Sequence, residues 1–335
     1  MFREAAQAPQ VVRAQLAANA TRTAQLAARL RRSPPRAVVT CARGSSDHAA
    51  TFARYLIETR LGLLTSSAAP SVSSVYDTAP DLGGTLMLTI SQSGASPDIL
   101  AVVSRARAAG AHVVALVNAA GSPLAQLADE LLPLHAGVEH SVAATKSYIA
   151  SLAAIVQLVA AWAADASLAA ALERAPEQLA RAWQLDWSAA VARLTSANDL
   201  YVIGRGLGLG IAQEAALKFK ETCGLHAEAV SAAELRHGPM ALVRAGFPLL
   251  LFTQNDESRA GVLELAAELA TQGADVLLAG AHLARTTELP TEGAHPVIEP
   301  LLFTQSFYRM ANGLSLARGH NPDAPPHLSK VTETL

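Results

Sequence analysis

Short β-branched runs alternate with helical patterns along this chain, and the alternation begins again in its second half. Strand-like runs fall at 37–41, 85–91, 112–117 and 131–134, and helical patterns at 46–61, 97–109 and 145–164. Alternation of this kind predicts a parallel sheet with helices on both faces. Arg43-Gly44 returns 162 residues later as Arg205-Gly206. Gln92, after the 85–91 run, returns at the same offset as Gln254, after the 248–252 run. Gly110-Ala111-His112-Val113 returns one residue out of register as Gly273-Ala274-Asp275-Val276. Three anchors in nearly one register predict a duplicated α/β domain, and 335 residues suit two domains. The expected organisation is a helical arm over 1–34, a first domain over 35–165, a helical linker over 166–197, a second domain over 198–320 and a tail over 321–335.

The loop Ser91-Gln92-Ser93-Gly94-Ala95-Ser96-Pro97-Asp98 follows one apolar run and precedes a helical pattern with Ile99, Val102, Val103 and Ala106 on one face. A hydroxyl-rich loop between a strand and a helix N-terminus is a place to hold an anion, because free N–H groups and the helix dipole point at one spot. Ser96 suits the N-cap and Pro97 the first helical position. Ser91, Gln92, Ser93 and Ser96 hydrogen-bond without carrying charge, which fits a phosphate that must bind and leave. At the corresponding place in the second half stands Thr253-Gln254-Asn255-Asp256-Glu257, whose carboxylates would repel a phosphate. One phosphate site per chain is therefore expected, in the first half.

Other classes are less well supported. Gly204-Arg205-Gly206-Leu207-Gly208 lacks the third glycine of a dinucleotide fingerprint in either register, since positions 209 and 211 are Leu209 and Ile211. A net charge of -2 with mixed signs argues against a nucleic-acid surface. Cys41 and Cys223 have no metal-ligand or disulfide spacing, which fits a reducing cytoplasm. The N-terminus lacks an apolar signal core. The apolar stretch Tyr148 to Ala164 is too short for a membrane span.

Lys218 and Glu221 are three residues apart in Leu217-Lys218-Phe219-Lys220-Glu221, so they share a helix face. The bland expectation for them is a solvated ion pair. Sixteen residues after Lys218 begins Glu234-Leu235-Arg236-His237-Gly238-Pro239, a turn that leaves the His237 ring free to be aimed. A carboxylate, a histidine and an anion loop are what sugar-phosphate isomerisation needs: one group moves a proton between C1 and C2, and another opens the ring.

These segments, with Arg43-Gly44-Ser45-Ser46, Val142-Ala143-Ala144-Thr145-Lys146, His226-Ala227-Glu228-Ala229 and Leu328-Ser329-Lys330-Val331-Thr332, resemble the double sugar-isomerase (SIS) domains of glucosamine-6-phosphate synthase and of SIS-type glucosamine-6-phosphate deaminases. The resemblance implies two tandem SIS domains, each a flavodoxin-like three-layer α/β/α sandwich. It implies that Ser46, Ser91, Gln92, Ser93, Gly94 and Ser96 hold the sugar phosphate, with Val142 and Ala144 beside the substrate. It implies Glu221 as the base for the C1–C2 proton transfer and His237 as the ring-opening group, reaching the site from the partner subunit of a homodimer. Lys218 would assist near C1 and C2, and Lys330, on a closing C-terminal tail, would contact the open-chain sugar. The family uses no metal or organic cofactor, so none is expected. The synthases have SQSGET where this chain has Ala95 and Ser96 in the last two places, and a serine where it has Ala144. With Met1 leading into the helical arm, no glutamine hydrolysis is expected on this chain. The expected reaction is glucosamine 6-phosphate to fructose 6-phosphate and ammonia. The alternatives are a synthase-like aminotransferase, an isomerase of another sugar phosphate, or a non-catalytic sugar-phosphate sensor.

Overall fold

The structure, a computed structural model, describes residues 1–78 and 80–330. Residues 331–335, the end of the tail on which a lid was expected, lie outside the described residues. Ten strands occur among those described: β1 (Val38–Cys41), β2 (Thr65–Ser67), β3 (Leu86–Ser91), β4 (His112–Val117), β5 (Glu130–Pro133), β6 (Asp199–Gly204), β7 (His226–Ser231), β8 (Pro248–Phe252), β9 (Asp275–Ala279) and β10 (Thr287–Leu289). They form two five-stranded sheets, β2-β1-β3-β4-β5 and β10-β9-β8-β6-β7, parallel throughout. Both sheets have the same order when each is read from its second strand outward.

The chain divides into two compact units. The N-sheet unit comprises Gln10–Glu139, Lys146–Glu173 and the described tail from Leu328. The C-sheet unit comprises Met1–Pro9, His140–Thr145 and Arg174–His327.

In the N-sheet unit, alternation along β4 sends Val113, Ala115 and Val117 to one face. There they pack with Met87 of β3 and with Ile99, Val102, Val103 and Ala106 of the Pro97–Ala108 helix. The Ser45–Leu61 helix packs on β1 and β3 and against the Lys146–Trp162 helix. That last helix is buried on nearly every side, which explains why its sequence is apolar without being a membrane span. Among the described residues, no helix is long and apolar enough to cross a membrane.

In the C-sheet unit, Tyr201, Ile203, Leu249, Leu251, Val276 and Leu278 pack beneath the Arg259–Thr271 helix. The Leu207–Cys223 helix packs on β6 and β7 and against the Glu299–Ala317 helix. Phe219 and Phe307 meet edge to face at 5.1 Å between those two helices, a pairing worth about 0.5–1.5 kcal/mol beyond its area. Within the segment read as a linker, the Ala166–Glu173 helix lies in the N-sheet unit, and the Ala175–Ala182 and Ser188–Leu194 helices lie in the C-sheet unit.

Candidate active site

The first sheet reverses direction between β1 and β3, since β1 leads out to β2 and β3 leads the other way to β4. The carboxyl ends of strands at such a switch point are where open α/β sheets bind ligands. Ser46 stands in the first turn after β1, and Ser91 to Ser96 follow β3. All six residues expected to bind phosphate thus stand at the carboxyl ends of the neighbouring strands β1 and β3.

The loop is held in a way that leaves its donors available. The Gly94 N–H donates to Ser91 Oγ at 2.9 Å, and the Ala95 N–H donates to Ser93 Oγ at 3.4 Å. Each hydroxyl is fixed as an acceptor, so its own proton remains to be donated to an anion. Ser96 occupies the N-cap with extended backbone, but its side chain makes no capping bond, contrary to the usual use of an N-cap serine. Gly94 has φ +63°, and a Cβ there would lie 2.1 Å from Ser122 Oγ and 2.8 Å from Val117 Cγ2. Only glycine fits. Asp98, which is buried, receives Arg43 Nε at 2.8 Å and the Ile99 N–H at 2.8 Å, tying the loop after β1 to the helix after β3. Ser91→Ala and Ser93→Ala are each expected to raise KM for a sugar phosphate about tenfold or more, since a hydrogen bond to a charged group is worth about 1.5–3 kcal/mol. Initial-rate kinetics would show an unchanged KM if the loop held no phosphate.

The matching switch point in the C-sheet unit lies between β6 and β8. Gly206 repeats the backbone of Gly44, φ 58° and ψ -127° against φ 55° and ψ -132°. Here the crevice is filled from within. Gln254 Nε2 donates to the Arg205 carbonyl at 2.7 Å and to Asp256 Oδ2 at 3.0 Å. Asp256 also accepts from the Ser258 N–H and hydroxyl.

The Leu207–Cys223 helix carries both Lys218 and Glu221. Lys218 is wholly buried, so the pair with Glu221 is not the solvated one that spacing alone suggests. Its ammonium lies 2.6 Å from Glu221 Oε2 and 3.3 Å from Glu214 Oε1. Burial alone would lower the Lys218 pKa, but the Glu214 and Glu221 carboxylates outweigh it and raise it above the ordinary value. The amine is therefore a fixed cation, not a free nucleophile. Tyr308 donates its hydroxyl to Glu214 Oε1 at 2.8 Å, completing the far side of the cluster. Glu221 is partly exposed, with 20% of its side chain accessible. The outcome is one carboxylate presented outward and oriented by a buried cation. Lys218→Met would leave Glu214 without its counter-charge. Breaking a buried pair in this way costs about 3–5 kcal/mol, and a fall of that size in the denaturant unfolding free energy is expected. Unfolding at the wild-type midpoint would contradict the pairing.

The other expected residues are placed separately. His237 ends a short turn, Glu234–His237, and is exposed. Among the described residues its ring takes no partner. Val142 and Ala144 are half-buried in the C-sheet unit, where the Val142 N–H donates to the Asp323 carbonyl at 3.2 Å. Lys330 lies in the N-sheet unit, 3.6 Å from Glu139. Glu214, Tyr308 and Glu139 were not singled out from the sequence. The i, i+4 spacing of Glu214 and Lys218 was the available signal for the first.

Cys41 and Cys223 are buried free thiols, pushed up by burial to about 12 and about 11, so neither supplies a thiolate. No three histidine, cysteine or carboxylate side chains among the described residues converge to hold a metal ion.

The SIS domain family matches residues 33–161 and 193–279, more than half of the chain. The chain belongs to the SIS family. Its SIS segments are homologous to the isomerase part of isomerizing glutamine–fructose-6-phosphate aminotransferases. That of Aeropyrum pernix is 36% identical over 308 residues, which cover 86% of this chain and 49% of the relative. That of Methanothermobacter thermautotrophicus is 34% identical over 296 residues, 86% of this chain and 50% of the relative. The chain thus spans about half the length of these curated relatives. A candidate phosphosugar isomerase from Silicibacter pomeroyi DSS-3 is similar in structure with a TM-score of 0.93 and 43% identity, over 96% of this chain and 99% of that one. The C-terminal domain of glucosamine-fructose-6-phosphate aminotransferase from Francisella tularensis has a TM-score of 0.86 and 25% identity, over 96% of this chain and 97% of that one.

Proposed function

We propose that this SIS protein is a phosphosugar isomerase that deaminates glucosamine 6-phosphate to fructose 6-phosphate and ammonia. The observation that carries the reading is Glu221, a partly exposed carboxylate held by the buried Lys218. A sensor has no use for an oriented base. Ser91, Ser93, Ser96 and Ser46 hold the phosphate, with Gln92 and the backbone around Gly94 completing the loop. His237 passes the O1 proton to the ring oxygen and opens the ring. Glu221 then takes the proton from C2 and returns it to C1, while the C1 carbonyl oxygen gains a proton to become a hydroxyl and the C2 amine gives one up. The resulting C2 imine adds water and loses ammonia, leaving the C2 ketone. Lys218 holds Glu221 in place, and Lys330 offers its ammonium to the open-chain oxygens. Val142 and Ala144 border the sugar.

His237, exposed and without a partner among the described residues, supports a homodimer in which each chain lends this ring to the other. Two-fold pairing is the commonest oligomer. Two buried free thiols agree with a reducing, cytoplasmic setting.

A second reading is the reverse sense, amination of a ketose phosphate, favoured by the aminotransferases to which the chain is similar. Coupled assays of ammonia and fructose 6-phosphate separate the two. The proposal expects both products from glucosamine 6-phosphate in equal amounts and very little from free glucosamine. Ketose–aldose interconversion without ammonia release would favour a plain isomerase instead.

A further inference from the structure

One buried carboxylate takes no part in the chemistry above. Glu139 follows β5, and its side chain is closed to solvent. An ionised carboxylate in that position must be partnered. Ser147, in the first turn of the Lys146–Trp162 helix, donates its hydroxyl to Glu139 Oε2 at 2.5 Å and its N–H to Oε1 at 3.4 Å. The helix N-terminus favours the negative charge. These bonds fix both oxygens from one side. Toward Oε2 comes Lys330, its Nζ at 3.6 Å and its side chain 27% exposed.

The tail that brings Lys330 there is tied down further back, where Asp323 pairs with the Met1 ammonium. Residues 321–330 form no helix or strand. Earlier in the tail, the Pro322 and Asp323 carbonyls are bonded by Ser141 and Val142 in the C-sheet unit. The next seven residues lead to Lys330. We infer that Glu139 is a positioning residue that seats Lys330, so that the ammonium stands at a fixed place instead of on a wandering tail. That this place serves the open-chain sugar rests on the function proposed above.

Glu139→Gln keeps the shape and one acceptor oxygen for Ser147 and removes the charge. With glucosamine 6-phosphate, kcat is expected to fall about tenfold through misplacement of a substrate-contacting group, with KM changed less than about twofold, because the phosphate loop is untouched. In a Lys330→Met background, Glu139→Gln should cost nothing further, since the two act as one unit. Trypsin gives a readout independent of activity. Cleavage after Lys330 should be roughly fivefold faster in Glu139→Gln, at an unchanged melting temperature, because a lysine side chain freed from its ion pair can enter the protease pocket. Cleavage at the wild-type rate, or losses in kcat that multiply in the double variant, would overturn the inference. Accelerated cleavage together with full activity of Lys330→Met would uphold the seat and overturn instead the role assigned to Lys330 in the reaction.

Discussion

Glu221→Gln should lower turnover of glucosamine 6-phosphate by about 100-fold or more while leaving binding of the sugar phosphate nearly intact, since general acid–base groups contribute about 100- to 10,000-fold. Glutamine keeps the shape of the side chain and loses its basicity. The fold should tolerate the change. Lys218 loses one counter-charge but keeps Glu214 at 3.3 Å, and Glu214 keeps its bond from Tyr308. No buried charge is stranded, in contrast to Lys218→Met. Binding to the phosphate loop is made by other residues, so KM should change little. Steady-state kinetics with a parallel melting curve checks this, and turnover near the wild-type rate would remove Glu221 from the reaction.

The second large effect concerns His237. His237→Ala alone should be as inactive as Glu221→Gln, because the ring of the sugar must open before the proton can move. Mixed after subunit exchange, the two inactive proteins should recover about one quarter of wild-type activity. Half of the dimers formed at random are mixed, and each mixed dimer has one site with both groups intact. Native mass spectrometry would confirm exchange, and an ammonia assay would read recovery. Exchange without recovery would mean that His237 serves the Glu221 of its own chain.

Much of the scaffold could be read in advance because its strands are uninterrupted apolar runs. The 112–117 run is β4 to the residue, and β3 is the 85–91 run without its first residue. Such runs are typical of parallel strands covered on both faces. The edge strands β2 and β10, three residues each, are too short to carry a pattern. The Glu299–Ala317 helix hides for another reason. It is buried on most sides, and its polar residues bond particular acceptors: Gln305 to the Ala5 carbonyl, Ser306 to that of Ala182, Tyr308 to Glu214. Polar side chains used in this way blur the helical period.

The candidate site divides along the same line. Serines in a strand-to-helix loop announce themselves, and so do a lysine and a glutamate on one helical face. What spacing could not show was that Lys218 is buried and that Glu214 shares it, because burial depends on the Glu299–Ala317 helix packed alongside. Glu139 was invisible for a simpler reason. Its meaning comes from Lys330, 191 residues away in sequence, and an isolated acid in a loop has no pattern to read.

The proton transfer between C2 and C1 is the centre of the account, and isotopic labelling follows it directly. Glucosamine 6-phosphate carrying deuterium at C2 would be turned over and its sugar product examined by NMR. The account predicts fructose 6-phosphate formed more slowly than from the unlabelled substrate, with the deuterium gone from C2 and found at C1 or in water. A deaminated aldose phosphate that still carries deuterium at C2 would contradict it, because ammonia would then have left without the C2 proton ever moving.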